Sequence, residues 1–402
     1  MTVTQYIRRN LSKTIRFRRE DDGTLLGLPE PYTVPCADEM FLEMYYWDTY
    51  FTNVGLLAAG MEKLAKSNTE NLLYLADRYG FVPNGSRTYY LCRSQPPYLA
   101  HMAADVYEHF RDKDWLSRAL PVLKKEYAFW MRERIGKDGL NVYGCLEEPE
   151  KFVSAAKSHA EGRLPWLRSK GKELETGRNI FAECESGWDF NGRFDLRCTN
   201  FYPVDLNSLL YGYERHFAAF ERELGISDGS VWEDAAERRR ELMRRLMRGR
   251  DGVRLDYDFV REKRSRVLSA ASFWVYWMGV DAGEGAEKVY AALRSEYGVF
   301  ASVPTAHACQ WGYPNGWPPL NYAAAMAMRR AGREKESLEI CRGYCRAVEK
   351  NFDKTGRLWE KYNAESGGTD TVNEYEMPPM FGWTAGVYLA LKKVLDRSGI
   401  IG

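Results

Sequence analysis

The chain has 402 residues, 45% hydrophobic and 28% charged, with 57 Lys+Arg against 56 Asp+Glu and a formal net charge of +1. That balance excludes the electrostatic footprint of a polyanion-binding or membrane-surface protein, and no apolar run is long enough to span a bilayer. No nucleic-acid, membrane or obligate protein partner is expected.

In chain order, the N-terminal residues 1–17 are broken every few positions by Arg, Lys and Asn. They lack the apolar stretch of a secretory leader, so a cytoplasmic location is expected. Helices are predicted near 43–60, 66–79, 98–111, 114–134, 205–224, 230–248, 270–280, 285–297, 320–331, 335–352 and 382–396, with a twelfth from the N-terminus. Leu99, Met102, Ala103, Val106, Tyr107 and Phe110 form one apolar stripe. Leu206, Leu209, Leu210, Tyr213, Phe217, Phe220 and Leu224 form a second, and Leu338, Cys341, Tyr344, Cys345, Val348 and Phe352 a third. In 230–248, Ser230 and Glu233 read as a capping box. There Val231, Trp232, Ala235, Leu242, Met243 and Leu246 face inward, and Arg238, Arg240, Arg244 and Arg245 mostly face solvent. Only 86–92 and 251–258 suggest small hairpins. The eight cysteines show no CxxC pair and read as buried reduced thiols rather than a metal or disulfide framework.

Aromatic-rich helices alternating with charge-rich ones predict an inner and an outer layer. The expected fold is all-α, a single (α/α)6 toroid over 1–402 with a lid-like segment around 146–180. Gly, Pro and aromatic residues cluster in the connections 29–48, 81–97, 181–203, 302–319 and 358–383. Connections this long inside a compact domain usually carry function. Two of them present a carboxyl among aromatics: Asp189 between Trp188 and Phe190, and Glu374 beside Tyr375 with Phe381 and Trp383 nearby. A hydrophobic surround that raises one acid, with a second carboxylate across a sugar-sized gap, is what glycoside hydrolysis requires. On these features alone each carboxyl reads equally as a helix cap.

Five blocks resemble the trehalases, glycoside hydrolase family 37. They are Met44-Tyr45-Tyr46-Trp47-Asp48-Thr49-Tyr50-Phe51, then Pro83-Asn84-Gly85-Ser86-Arg87-Thr88-Tyr89-Tyr90 with Arg93-Ser94-Gln95-Pro96-Pro97. Ser186-Gly187-Trp188-Asp189-Phe190 and the run from Gln310 to Pro319 follow. Glu360-Lys361-Tyr362, with Asn373-Glu374-Tyr375 and Phe381-Gly382-Trp383-Thr384, is the fifth. The blocks occur in family order and spread over most of the chain. The resemblance implies an inverting α-glycosidase acting on a small α-linked sugar, trehalose first, without metal or cofactor. It implies Asp189 as general acid and Glu374 as general base. Phe41, Trp47, Asp48, Asn84, Arg93, Gln95, Glu150, Gly187, Gln310, Trp311, Trp317 and Trp383 would touch sugar.

The chain also departs from that pattern. Asp38-Glu39-Met40-Phe41 stands where trehalases carry Gly-Gly-Arg-Phe, and Glu148-Pro149-Glu150 where they carry Arg-Pro-Glu. Two sugar-reaching arginines are thus replaced, by Met40 and Glu148. Lys151, Lys157 or Arg163 are the candidates to restore the charge. Gly312 stands where the family has Asp. The alternatives are a related enzyme for another α-glucoside or α-mannoside such as a glycosylglycerate, a sugar epimerase, or a toroid that binds sugar without turnover. An epimerase would require histidine acid/base pairs, and none of the five histidines lies in the five blocks.

Overall fold

A computed structural model describes residues 1–37, 40–379 and 381–399. Fourteen α-helices lie among the described residues. They are α1 (Val3–Asn10), α2 (Tyr46–Ala58), α3 (Glu62–Tyr79), α4 (Leu99–Phe110), α5 (Lys113–Glu133), α6 (Pro149–Glu161) and α7 (Glu173–Ser186), followed by α8 (Val204–Glu223), α9 (Ser230–Met247), α10 (Phe273–Trp277), α11 (Ala286–Leu293), α12 (Pro318–Arg330), α13 (Glu334–Thr355) and α14 (Gly382–Arg397).

Helices α2, α4, α8, α10, α12 and α14 each pack on the next, and α14 returns to α2, closing an inner ring. Outside it, α3 and α5 lie against α4, α9 against α8, α11 against α12 and α10, and α13 against α12 and α14. The capped helix α1 joins this layer through Tyr6, whose ring meets Phe352 and Phe381. This is the expected (α/α)6 toroid. The predicted stripes on α4, α8 and α13 are buried, apart from half-buried Phe110 and Leu224. Cys341 and Cys345 are separate buried thiols on α13.

Closure of the ring depends on close backbone approach. A Cβ at Gly55 would stand 2.3 Å from the Cα of Gly386, and one at Gly386 would stand 2.1 Å from the Phe51 carbonyl oxygen. Only glycine on both helices lets α2 and α14 come this near. Inside the ring, buried Glu126 of α5 accepts hydrogen bonds from Tyr46 of α2 (2.5 Å) and Tyr213 of α8 (2.8 Å). Burial pushes this carboxyl up to about 7, so three helices are joined through it.

Three sequence expectations require correction. The segment 146–180 is mostly a helical hairpin, α6 and α7, inserted between α5 and α8, and α7 continues to Ser186 into the expected connection 181–203. The hairpin's periodicity is hidden because α6 buries only Phe152 and Ala156, while α7 buries Asn179, Glu183, Glu185 and Ser186. Helix α9 has no capping box. Gly229 caps it in the left-handed region at φ 74°, and the Ser230 N–H donates to Asp228 instead. On the same helix Val231 is exposed, and Arg239 turns inward onto Glu214. Residues 88–90 form a 3-10 turn rather than a hairpin, whereas Tyr257–Asp258 does pair with Phe201–Tyr202 and Lys263–Arg264.

Candidate active site

The connections at one end of the ring enclose a cavity of about 380 Å³. Phe41, Trp47, Asp48, Asn84, Arg93, Gln95, Gly187, Asp189, Gln310, Trp311, Trp317 and Trp383 line it, all of them named from sequence. Glu150 does not. It is exposed on the first turn of α6, directly after Pro149. Met40 and Glu148 are also exposed, so neither replaced position reaches inward. Asp38 and Glu39 lie outside the described residues.

The aromatic wall is an interlocked set. Trp311 stacks on Trp317 with ring centroids 3.8 Å apart and planes 1° from parallel. Trp383 stands edge-on to Trp317 at 5.7 Å, and Trp47 edge-on to Trp383 at 6.1 Å. Two of the indole N–H groups are used internally, Trp317 to the Gln310 carbonyl and Trp383 to the Glu360 carbonyl. The rings therefore offer the cavity apolar faces and edges, suited to the C–H faces of a sugar.

Asp189 is aimed by the end of α7. Gly187 caps that helix at φ 74°, and a Cβ there would meet the Trp47 indole at 2.8 Å. Behind the loop, Glu185 is fully buried. It takes two bonds from Arg134 (2.8 and 3.0 Å) and the N–H groups of Ser94 and Gly144. Arg193 is likewise buried and grips both Asp205 and Asp256 in paired bonds of 2.8–3.0 Å. Both contacts brace the loop.

Glu374, the other sequence-named residue outside the cavity lining, lies next to lining Tyr375 and accepts from the N–H of lining Gln310 at 3.4 Å. Burial pushes its carboxyl up to about 7, the Asp189 charge adds to that, and Arg163 opposes it. Burial also pushes Asp48 up to about 8, with the charges of Glu360 and Asp189 contributing. The two candidate carboxyls are joined directly. Nη2 of Arg163 donates to Asp189 Oδ2 at 3.0 Å and to Glu374 Oε2 at 3.1 Å.

Arg93 lies between the rings of Tyr90 and Phe181, 5.1 and 5.3 Å from their centroids. Its Nε is buried without a partner, and it forms no ion pair among the described residues. Asn84 spends its amide donors on the carbonyls of Ser94 and Cys184, and Gln95 accepts the Trp47 N–H. No histidine is among the described residues lining the cavity, and no cluster there has the make-up of a metal site.

Sequence reasoning does not single out Pro35, Tyr45, Tyr90, Cys184, Glu360 or Tyr375, which also line the cavity. Tyr45, Tyr90, Glu360 and Tyr375 sit within or beside the quoted blocks, which is the available signal. Glu360 is tied to Lys361 at 2.8 Å and to the Tyr375 hydroxyl at 2.7 Å. Arg163 is named from sequence only as a replacement charge.

A family model described as Trehalase matches residues 2–396. A periplasmic trehalase from Pseudomonas aeruginosa is 34% identical over 92% of this chain and 72% of its own length. Another, from Salmonella agona, is 34% identical over 93% of this chain and 69% of its own. The solved structure of neutral trehalase from Saccharomyces cerevisiae superposes with a TM-score of 0.75 at 28% identity, covering 90% of this chain and 73% of that one. A GH63 mannosylglycerate hydrolase from Thermus thermophilus superposes at 0.64 over 97% of this chain and 100% of that one. At 13% identity it shares the fold alone.

These relatives overturn one expectation. The sequence reading places the chain in the cytoplasm, whereas the curated relatives it matches are named periplasmic trehalases. The segment read for an address is part of the fold. Residues Val3 and Ile7 of α1 are buried, so its amphipathic pattern reflects packing.

Proposed function

The chain belongs to the trehalase family of glycoside hydrolases, and from that premise we propose that it hydrolyses trehalose with inversion at the attacked carbon. Asp189 is the general acid. It gives its proton to the glycosidic oxygen as the C–O bond breaks, so the departing glucose leaves as a neutral alcohol. Glu374 is the general base. It takes a proton from the water that attacks the anomeric carbon from the opposite face.

One observation supports this assignment above the rest: a single cation bonds both carboxyls, so groups 185 residues apart in sequence meet across one guanidinium. A base with its affinity raised to about 7 is matched to work near neutral pH. Asp48, Asn84, Arg93 and Gln95 supply donors and acceptors for the hydroxyls of the glucosyl unit, and the tryptophans supply its apolar walls. Of these, Arg93 brings a charged fork that no described carboxylate occupies.

Incubating the protein with a panel of α-linked disaccharides and glycosylglycerates, and following sugar release, tests the substrate. Trehalose should be cleaved fastest. Preference for a mannoside or a glycosylglycerate by an order of magnitude would reject it.

A further inference from the structure

The connection between α6 and α7 carries Arg163 into the cavity, and the connection is itself anchored. Leu164 and Leu167 pack with Ala156, Ile180 and Phe190 in a small cluster apart from the main core. The Trp166 ring stacks on His307 at 4.3 Å with planes 4° apart, fastening this connection to the one that precedes the Gln310 block. From this base the Arg163 guanidinium lies 4.9 Å from the Phe190 ring centroid and 5.5 Å from that of Tyr375. Its Nε is buried without a partner.

Because one nitrogen bonds both carboxylates, their oxygens are no further apart than the two bonds laid end to end. The guanidinium thus stands between the two carboxyls, where an inverting pair must admit a sugar and a water. In this arrangement the guanidinium occupies the place of the scissile bond, and substrate entry must displace it. Its loop is held, so the movement available is rotation of the side chain within the mouth of the cavity. A guanidinium deprived of two carboxylates in a partly buried site needs other acceptors. The glucosyl unit being attacked already has Asp48, Asn84, Arg93 and Gln95. The acceptors left are the hydroxyls of the second, leaving sugar. Arg93 and Arg163 are the cations among the described cavity-lining residues.

We propose that Arg163 is the specificity-determining residue for the leaving sugar, exchanging its two carboxylate partners for that sugar's hydroxyls. This rests on the reading of the site as a trehalose-hydrolysing one. It also accounts for Met40 and Glu148: the cation comes from the α6–α7 connection instead of from either of those positions.

The test compares kcat/KM for trehalose with that for α-D-glucosyl fluoride, whose leaving group has no hydroxyls, in the wild type, R163M and R163K. Thermal melts establish that the variants fold. The trehalose-to-fluoride ratio should fall about 100-fold in R163M, the scale of a charge-assisted contact to substrate, and recover only partly in R163K. A ratio unchanged within threefold in R163M, whatever the absolute rates, would overturn the proposal, since a residue that only positions or blocks the carboxyls affects both substrates alike. A wild type active on the fluoride but inert on trehalose would overturn the substrate reading, and this proposal with it.

Discussion

Replacing Glu374 by Gln should abolish turnover and yet stabilise the folded chain at alkaline pH. The carboxyl sits at about 7 in the folded protein against an ordinary 4.5, chiefly because burial penalises its charged form. Each pKa unit is worth about 1.4 kcal/mol, and with a side chain only 6% exposed little of this is lost to solvent. Between those two values the folded chain holds a proton that the unfolded chain has released, so stability from this group is full below about 4.5 and is lost as pH rises through about 7. The loss amounts to roughly 3 kcal/mol by pH 8, already net of the opposing pull of Arg163. Glutamine cannot ionise and does not incur it. With an unfolding entropy of about 2.1 cal/mol/K per residue, 402 residues convert this into a melting temperature about 4 °C above wild type at pH 8. The two proteins should converge near pH 4.5. Calorimetric melts at matched ionic strength across that range provide the measurement. A variant less stable at pH 8, or a difference that does not vary with pH, would refute the argument that Glu374 is held against its charge.

Activity should respond to the same group. In the free enzyme kcat/KM should fall tenfold per unit as pH drops below about 7, because the base must be ionised; a limb near 4.5 would contradict this. Removing the cation that opposes protonation should move that limb upward in R163M, which the same profile would show. Asp189→Asn should cost at least 10²–10⁴-fold in kcat while leaving trehalose binding measurable by calorimetry. Arg193→Ala should lower folding stability by about 3–5 kcal/mol, since it strands the buried carboxylates of Asp205 and Asp256. Arg93→Ala should leave the melt nearly unchanged and weaken sugar binding by about 10- to 100-fold, a charge-assisted bond being worth about 1.5–3 kcal/mol.

The ring was legible where helices bury one apolar stripe, as α4, α8 and α13 do, because the 3.6-residue period is then written in the side chains. It was illegible in α6 and α7. Helix α7 buries Asn179, Glu183, Glu185 and Ser186 beside Ile180 and Ala182, so its buried face reads as mixed and not as an apolar stripe. The same cause hid Arg239 on α9, whose inward charge is met by Glu214. For the site, the residues within the five blocks were named through the resemblance of those blocks to trehalases, since on composition alone each carboxyl read equally as a helix cap. Glu150 was placed by its alignment with a motif, and the start of α6 turns it to solvent. Arg163 lies outside every block, and what it does depends on the fold of the α6–α7 connection, which no local pattern announces.

With Asp189 as acid and Glu374 as base, trehalose should be cleaved by direct displacement with water. Proton NMR of the anomers released in the first minutes, before mutarotation, tests it most directly. Inversion of one α-linked half yields one β-glucose for every α-glucose from the departing half, and Glu374→Gln should release neither. Early formation of α-glucose alone would show a retaining, double-displacement route and contradict the account.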